Sequence, residues 1–92
     1  MKYQRIRECG RSDPEQRYIW ARLAVFSRLP AERQEEIRAL IGELTDSPEE
    51  GRALFSVLVR GKVPQIVSQR TGVSTGRLYE LRRLFYERAA LR

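Results

Sequence analysis

The chain of 92 residues, with 41% hydrophobic residues, 33% charged residues and a net charge of +6, has the size and composition of one small folded domain. It has one cysteine, no histidine and no apolar run near the roughly 18 residues of a membrane span, which excludes a disulfide framework, a credible zinc site and a membrane helix. No apolar stretch follows the basic N-terminus as in a secretory signal, so we expect a soluble cytoplasmic protein without membrane contact or cofactor.

Positive charge is concentrated at the two ends of the chain. Residues 1–12 carry a net charge of +3, residues 13–59 carry −3 and residues 60–92 carry +6. Basic ends suggest a polyanion partner, although a solvated surface that only keeps the protein in solution would have the same charge. We expect residues 1–12 to be a flexible arm that orders on DNA, in a minor groove, and residues 13–92 to be a single helical domain. The basic residues of that arm expected to contact DNA are Lys2, Arg5 and Arg7.

The first helix is predicted from the start signal DPEQ at residues 13–16. Asp13 can cap the helix, the proline fits its first turn, and Gln16 can complete a capping box. The apolar spacing then continues to Arg28, before Pro30 interrupts the pattern. We therefore expect one helix up to that point.

A second helix is predicted over residues 31–44, where apolar side chains recur at helical spacing. They are Ile37, Leu40, Ile41 and Leu44. The opposite face of this helix is acidic. We expect the helical pair within residues 13–46 to form a homodimer contact or to dock another protein, such as RNA polymerase.

Three more helices are predicted in residues 47–92. Ser47 repeats the cap-and-proline start, and the helix that it begins ends at Gly61. A short fourth helix begins near Pro64, and a fifth is capped by Ser74 and runs to about residue 91. No strand pattern with turn signals on both sides occurs. The expected fold class is therefore all-α, a small bundle of about five helices.

Gly72 separates the fourth predicted helix from the fifth. In a helix-turn-helix unit, two helices cross at roughly 90–120° through a turn of three or four residues that often contains glycine. Glycine can take a positive φ there at no steric cost. Apolar residues are required where the two helices meet, and the sequence has Val67, Val73, Leu78 and Leu81 there. The spacing predicts a helix-turn-helix; a plain helical bundle with a glycine turn is the alternative.

The stretch QIVSQRTGVSTGRLYELRRL, with SPEEGRALFSVLVRGKV before it, resembles the helix-turn-helix of bacterial DNA-binding proteins. Its four-helix arrangement is similar to LuxR-type effector domains and to region four of sigma factors, over residues 47–88. Ser68 and Thr71 stand where alanine and an apolar residue are usual. The resemblance implies a small sequence-specific DNA-binding transcriptional regulator of bacterial or phage type. Such proteins usually bind two half-sites as dimers, so we expect a homodimer on double-stranded DNA.

The recognition helix of such a unit enters the major groove by its N-terminal end and would present a polar, net basic face. Arg77 is the best candidate for a bidentate guanine contact, with a phosphate contact as the alternative, and Glu80 could accept from cytosine or orient an arginine. The residues expected to face DNA from this helix are Ser74, Thr75, Gly76, Arg77, Tyr79, Glu80 and Arg83. Contacts to phosphates are expected from Lys62, Gln65, Gln69 and Arg70. Such contacts position a protein on DNA without selecting a base sequence.

Two other functions fit the same pattern. One is a DNA-recognition subunit of a phage packaging or replication machine, and the other is an antitoxin-like or sigma-like protein-interaction module. An enzyme is not expected, because the sequence offers no histidine, no paired acids in an apolar setting and no glycine-rich phosphate loop for general-base or nucleophile chemistry.

Overall fold

The computed structural model describes residues 2–91. Within them lie five α-helices and one short 3₁₀ helix at Phe26–Arg28, and no strand, so the all-α prediction is confirmed. None of these helices combines the length and the apolar character that a bilayer crossing needs. The α-helices are α1 (Asp13–Ala24), α2 (Ala31–Leu44), α3 (Pro48–Leu58), α4 (Pro64–Thr71) and α5 (Thr75–Arg88).

The capping box of α1 lies one residue earlier than predicted. Ser12 is the N-cap residue: its hydroxyl accepts a hydrogen bond from the Glu15 N–H, and the Glu15 carboxylate accepts one from the Ser12 N–H. The carboxylate of Asp13 instead accepts hydrogen bonds from Tyr3 and Arg17. The predicted box was therefore wrong, because two adjacent residues can both cap and the more N-terminal one does so here.

The first helix also ends earlier than predicted, at Ala24. The chain then tightens into the 3₁₀ turn, which buries the Phe26 ring edge-on against Phe55, with 5.3 Å between the ring centroids. The side-chain amide of Gln34 donates to the carbonyl oxygens of Phe26 and Leu29. These bonds tie α2 to the end of the 3₁₀ turn.

The N-terminal segment (residues 2–12) packs against the helices, whereas the sequence predicted a flexible arm. Ile6 is only 7% exposed, and the buried side chain of Gln16 accepts from the Ile6 N–H and donates to the Ile6 carbonyl oxygen. Arg11 donates to two carbonyl oxygens at the C-terminal end of α5. One buried apolar side chain and these hydrogen bonds hold the segment in place.

Two adjoining clusters of buried side chains form the core. The larger one joins Ile6 to residues from α1, α2, α3 and α5. The smaller one lies under the α4–α5 connection, with Val73 packed against four buried residues: Ala53, Val57, Val67 and Leu78. The predicted meeting of Val67, Val73 and Leu78 is confirmed, while Leu81 lies in the larger cluster.

The connection between α4 and α5 uses three residues. Gly72 adopts a φ of +81° and its N–H donates to the Ser68 carbonyl oxygen, which ends α4. Ser74 then caps α5, its hydroxyl accepting from the Arg77 N–H. The Thr71 hydroxyl donates to the carbonyl oxygen four residues earlier. The left-handed glycine and the serine cap were both predicted and are confirmed.

Gly72→Ala should lower the free energy of unfolding by about 1–2 kcal/mol, because alanine would have to occupy the left-handed region. Gly42→Ala is the matched control. Gly42 lies within α2 with no atom within 4 Å of an added Cβ, so alanine there should stabilise the fold by about 0.5–1 kcal/mol. Urea unfolding of both variants measures the two effects, and effects of the same sign would contradict the role of the turn.

Candidate nucleic-acid interface

The apolar face of α5 determines which of its side chains point to solvent. At 3.6 residues per turn, Leu78, Leu81 and Phe85 share one face, and all three are 1% exposed or less. The opposite face is named here the outward stripe. It consists of Gly76, Tyr79, Glu80, Arg83 and Glu87. The first three are exposed, whereas Arg83 and Glu87 are half-buried, and Glu87 accepts a hydrogen bond from the Gly10 N–H.

Four of the residues predicted to face DNA from α5 thus share the outward stripe. They are Gly76, Tyr79, Glu80 and Arg83. Ser74 is exposed as the cap at the N-terminal end of α5, and Thr75 beside it is half-buried. The stripe itself carries two glutamates and one arginine, and Arg83 pairs with Glu87 at 3.1 Å. The net basic face expected of α5 therefore does not lie on its outward side.

The residues predicted to contact phosphates are all exposed. They are Lys62, in the loop before α4, and Gln65, Gln69 and Arg70 on α4. The side-chain amide of Gln65 donates to the Tyr79 hydroxyl at 3.3 Å, which joins the surface of α4 to the outward stripe. Val63, just before α4, and Ile66, on α4, are 51% and 45% exposed.

Arg77 lies on the side of α5 that faces the start of α3. Its Nε and Nη2 donate to both carboxylate oxygens of Glu50 at 3.1 and 3.2 Å, and its Nη1 donates to Glu80 at 2.6 Å. Asp46 lies 3.3 Å from Nη2. Hydrogen bonds to Glu50 and Glu80 raise the pKa of Arg77 further above its ordinary value. A guanine contact by Arg77 would require these carboxylates to release it.

Glu50 has a second role at the start of α3. Its N–H donates to the Ser47 hydroxyl, which confirms the predicted Ser47 cap, and its carboxylate accepts from the Asp46 N–H. Hydrogen bonds from Arg77 and from the Asp46 N–H hold the pKa of Glu50 below its ordinary value. The carboxylate that begins α3 therefore also ties α3 to the first turn of α5. No local pattern in the sequence links residues 50 and 77.

The other side of α5 faces the N-terminal segment and carries Arg82. The Arg82 guanidinium carbon lies 5.1 Å from the centroid of the Tyr79 ring. The buried Nε of Arg82 has no hydrogen-bond partner among the described residues. The local sequence does not predict these surroundings of Arg82, because part of them comes from residues about 75 positions earlier in the chain.

Among residues 2–91, no group of three or more His, Cys, Asp and Glu side chains is arranged to hold a metal ion. Comparison with protein-family models, curated proteins and solved structures finds no match to this chain. The resemblance to helix-turn-helix proteins therefore rests on the motif residues and stays a prediction.

The pair Arg77–Glu50 should show strong energetic coupling. In a double-mutant cycle of Arg77→Gln and Glu50→Gln, we expect a coupling of about 1–2 kcal/mol in the free energy of unfolding, since the contact is bidentate and partly buried. The matched control is the exposed pair Arg52–Glu49 at 3.6 Å, for which less than about 0.5 kcal/mol is expected. Equal coupling in the two pairs would show that Arg77 does not hold α5 to α3.

The same pair should make stability sensitive to acid. Because the pKa of Glu50 is lower in the folded protein, its stabilisation is complete above about pH 4.5, the ordinary value, and is lost as the pH falls through the folded value. Glu50→Gln should therefore reduce the loss of stability between about pH 5 and pH 3. Glu43→Gln, at an exposed position of α2, is the control. An unchanged pH profile in Glu50→Gln would contradict the assignment.

Proposed function

We propose that this protein is a sequence-specific DNA-binding transcriptional regulator in which α4 and α5 form a helix-turn-helix. One observation carries the proposal: α4 ends at the left-handed Gly72 and α5 begins at the Ser74 cap, with Val67, Val73 and Leu78 packed beneath the turn. In helix-turn-helix proteins this connection directs the N-terminal half of the second helix into the major groove.

Polar groups on and beside the outward stripe support a groove-reading role. Tyr79 and the neighbouring Gln65 present hydroxyl and amide groups, which can contact base edges or phosphates. The Glu80 carboxylate can accept a hydrogen bond from the amino group of cytosine while it also binds Arg77. In this proposal, Arg77 fixes the position of α5 and its neighbours read the bases.

Gly76 supports close approach of a partner to the first turn of α5. It is exposed, lies within the helix, and has no atom within 4 Å of an added Cβ, so core packing does not require a glycine there. Glycine in a helix costs about 1 kcal/mol relative to alanine. A backbone that must come close to a ligand is one reason for such a residue.

Selection from a random-sequence pool of duplex DNA tests the proposal, followed by affinity measurements on the enriched duplex. We expect one enriched motif. A palindromic motif would support the proposed homodimer, since one helix-turn-helix covers a single half-site. If no sequence is enriched, the proposal fails. An enriched motif with no effect on a nearby promoter would favour a packaging or replication subunit over a regulator.

Gly76→Ala sharpens this test. It should stabilise the fold by about 0.5–1 kcal/mol and yet weaken binding to the enriched duplex by at least roughly tenfold, because the methyl group would keep the helix away from the groove. Gly42→Ala is the matched control, with the same gain in stability and unchanged binding. Wild-type affinity in Gly76→Ala would argue against insertion of this turn.

A second candidate function is a protein-interaction module. It is favoured by the exposed apolar side chains of Val63 and Ile66 and by the two glutamates of the outward stripe. In that case the stripe would contact a protein, and DNA binding would be weak and independent of sequence. The same selection separates the two candidates.

A further inference from the structure

We propose that a groove between the N-terminal segment and α5 binds the sugar–phosphate backbone of duplex DNA. This inference rests on the proposed function of α4 and α5, and it identifies where one backbone strand lies. The groove consists of two adjoining depressions of about 470 and 390 Å³ that share Ile6, Tyr79 and Arg82.

The charges around this basic groove are strongly one-sided. Its only acidic lining residue is Glu80, which is held by Arg77. Of the basic lining residues, Arg83 is paired with Glu87, and the others form no ion pair within residues 2–91. The basic lining residues are Lys2, Arg5, Arg7, Lys62, Arg82 and Arg83.

The groove also contains buried donors without hydrogen-bond partners. In the described part of the chain, two buried side-chain nitrogen atoms have no hydrogen-bond partner, Trp20 Nε1 and Arg82 Nε, and both residues line this groove. Buried donors are normally satisfied by protein or by water. Phosphate oxygens, which carry negative charge and accept hydrogen bonds, would complement the guanidinium and ammonium groups that line the groove.

The groove lies where a backbone strand would pass if α5 entered the major groove. A helix with its side chains is about 10–12 Å across and the major groove is about 12 Å wide, so the phosphates lie along the flanks of the helix. Tyr79, Glu80 and Arg83 belong both to the outward stripe and to the groove, so the groove extends from the Arg82 flank of α5 onto its outward face. The opposite flank carries Asp46 and Glu50. The flank with the groove is therefore the one suited to close phosphate contact.

The N-terminal segment supplies half of the basic side chains in this groove and is already held in place. Ile6 is buried, and its backbone N–H and carbonyl oxygen both bond to Gln16, so Arg5 and Arg7 project from an anchored backbone. An ordered segment loses less conformational freedom on binding than a flexible arm would. The structure therefore favours contact along the side of α5, whereas the sequence suggested an arm that orders in the minor groove.

The test is the salt dependence of affinity for the selected duplex between 50 and 200 mM salt. Lys62→Gln and Arg5→Gln should each lower the slope of log K against log salt by about 0.9, and the double variant by about twice that, with unchanged base preference. The matched control is Arg60→Gln, which removes the same charge on the side of α2 and α3 and should keep the wild-type slope.

Arg82→Gln should lower the slope in the same way. Because Arg82 is half-buried, urea unfolding must show that the Arg82→Gln protein is folded. If that variant does not fold, the variants at the exposed residues Lys62 and Arg5 still decide whether the groove binds DNA. Slopes in the groove variants equal to those of wild type and Arg60→Gln would overturn the inference, and so would equal affinity for single-stranded DNA. Failure of wild type to prefer any duplex sequence would instead overturn the proposed function.

Discussion

Burial of one face of α5 is the constraint on which the rest of the structure depends. Leu78, Leu81 and Phe85 are almost completely buried, and α5 contacts α2, α3 and α4. Rotation of α5 about its axis would expose these side chains, at about 1.5–3 kcal/mol for each large one. The direction of every other α5 side chain follows. The backbone of Gly76 lies on the outward side of α5 and Arg77 points to the start of α3. The other flank of α5 faces the N-terminal segment.

That orientation decides which arginines of α5 are paired with carboxylates and which remain available to a ligand. Arg77 is held by three carboxylates and Arg83 by one, so neither offers a free guanidinium. Arg82 lies on the other flank, where it has no acidic partner in the described chain. It lines the basic groove together with Lys62. A polyanion would therefore meet one flank of α5 rather than its whole surface. Net charge alone could not predict this, because a paired arginine adds to the total without being available.

The N-terminal segment shows why the basic groove was not predictable. Its single buried apolar residue, Ile6, lies within a run of charged and polar residues, and one apolar residue has no periodicity to recognise. Its anchor, Gln16, is a polar residue that is 1% exposed, and it is tolerated because the backbone of Ile6 and Arg11 satisfies its amide. The position of the segment depends on a surface that exists only once α1 and α5 have packed together.

The amino-acid sequence by itself determined where most of the helices begin, whereas α1, α3 and α5 each end at least three residues earlier than predicted. The caps at Ser47 and Ser74 and the left-handed Gly72 follow from hydrogen bonds and backbone preferences that act within about four residues, so a short stretch of sequence contains them. At α1, both Ser12 and Asp13 can cap the helix, and the sequence pattern does not decide between them. Only the tertiary structure decided that Glu50 holds Arg77, across 27 residues, and that Arg82 forms no ion pair within residues 2–91. These contacts depend on how each helix is rotated against the core, which is set by side chains far apart in the chain.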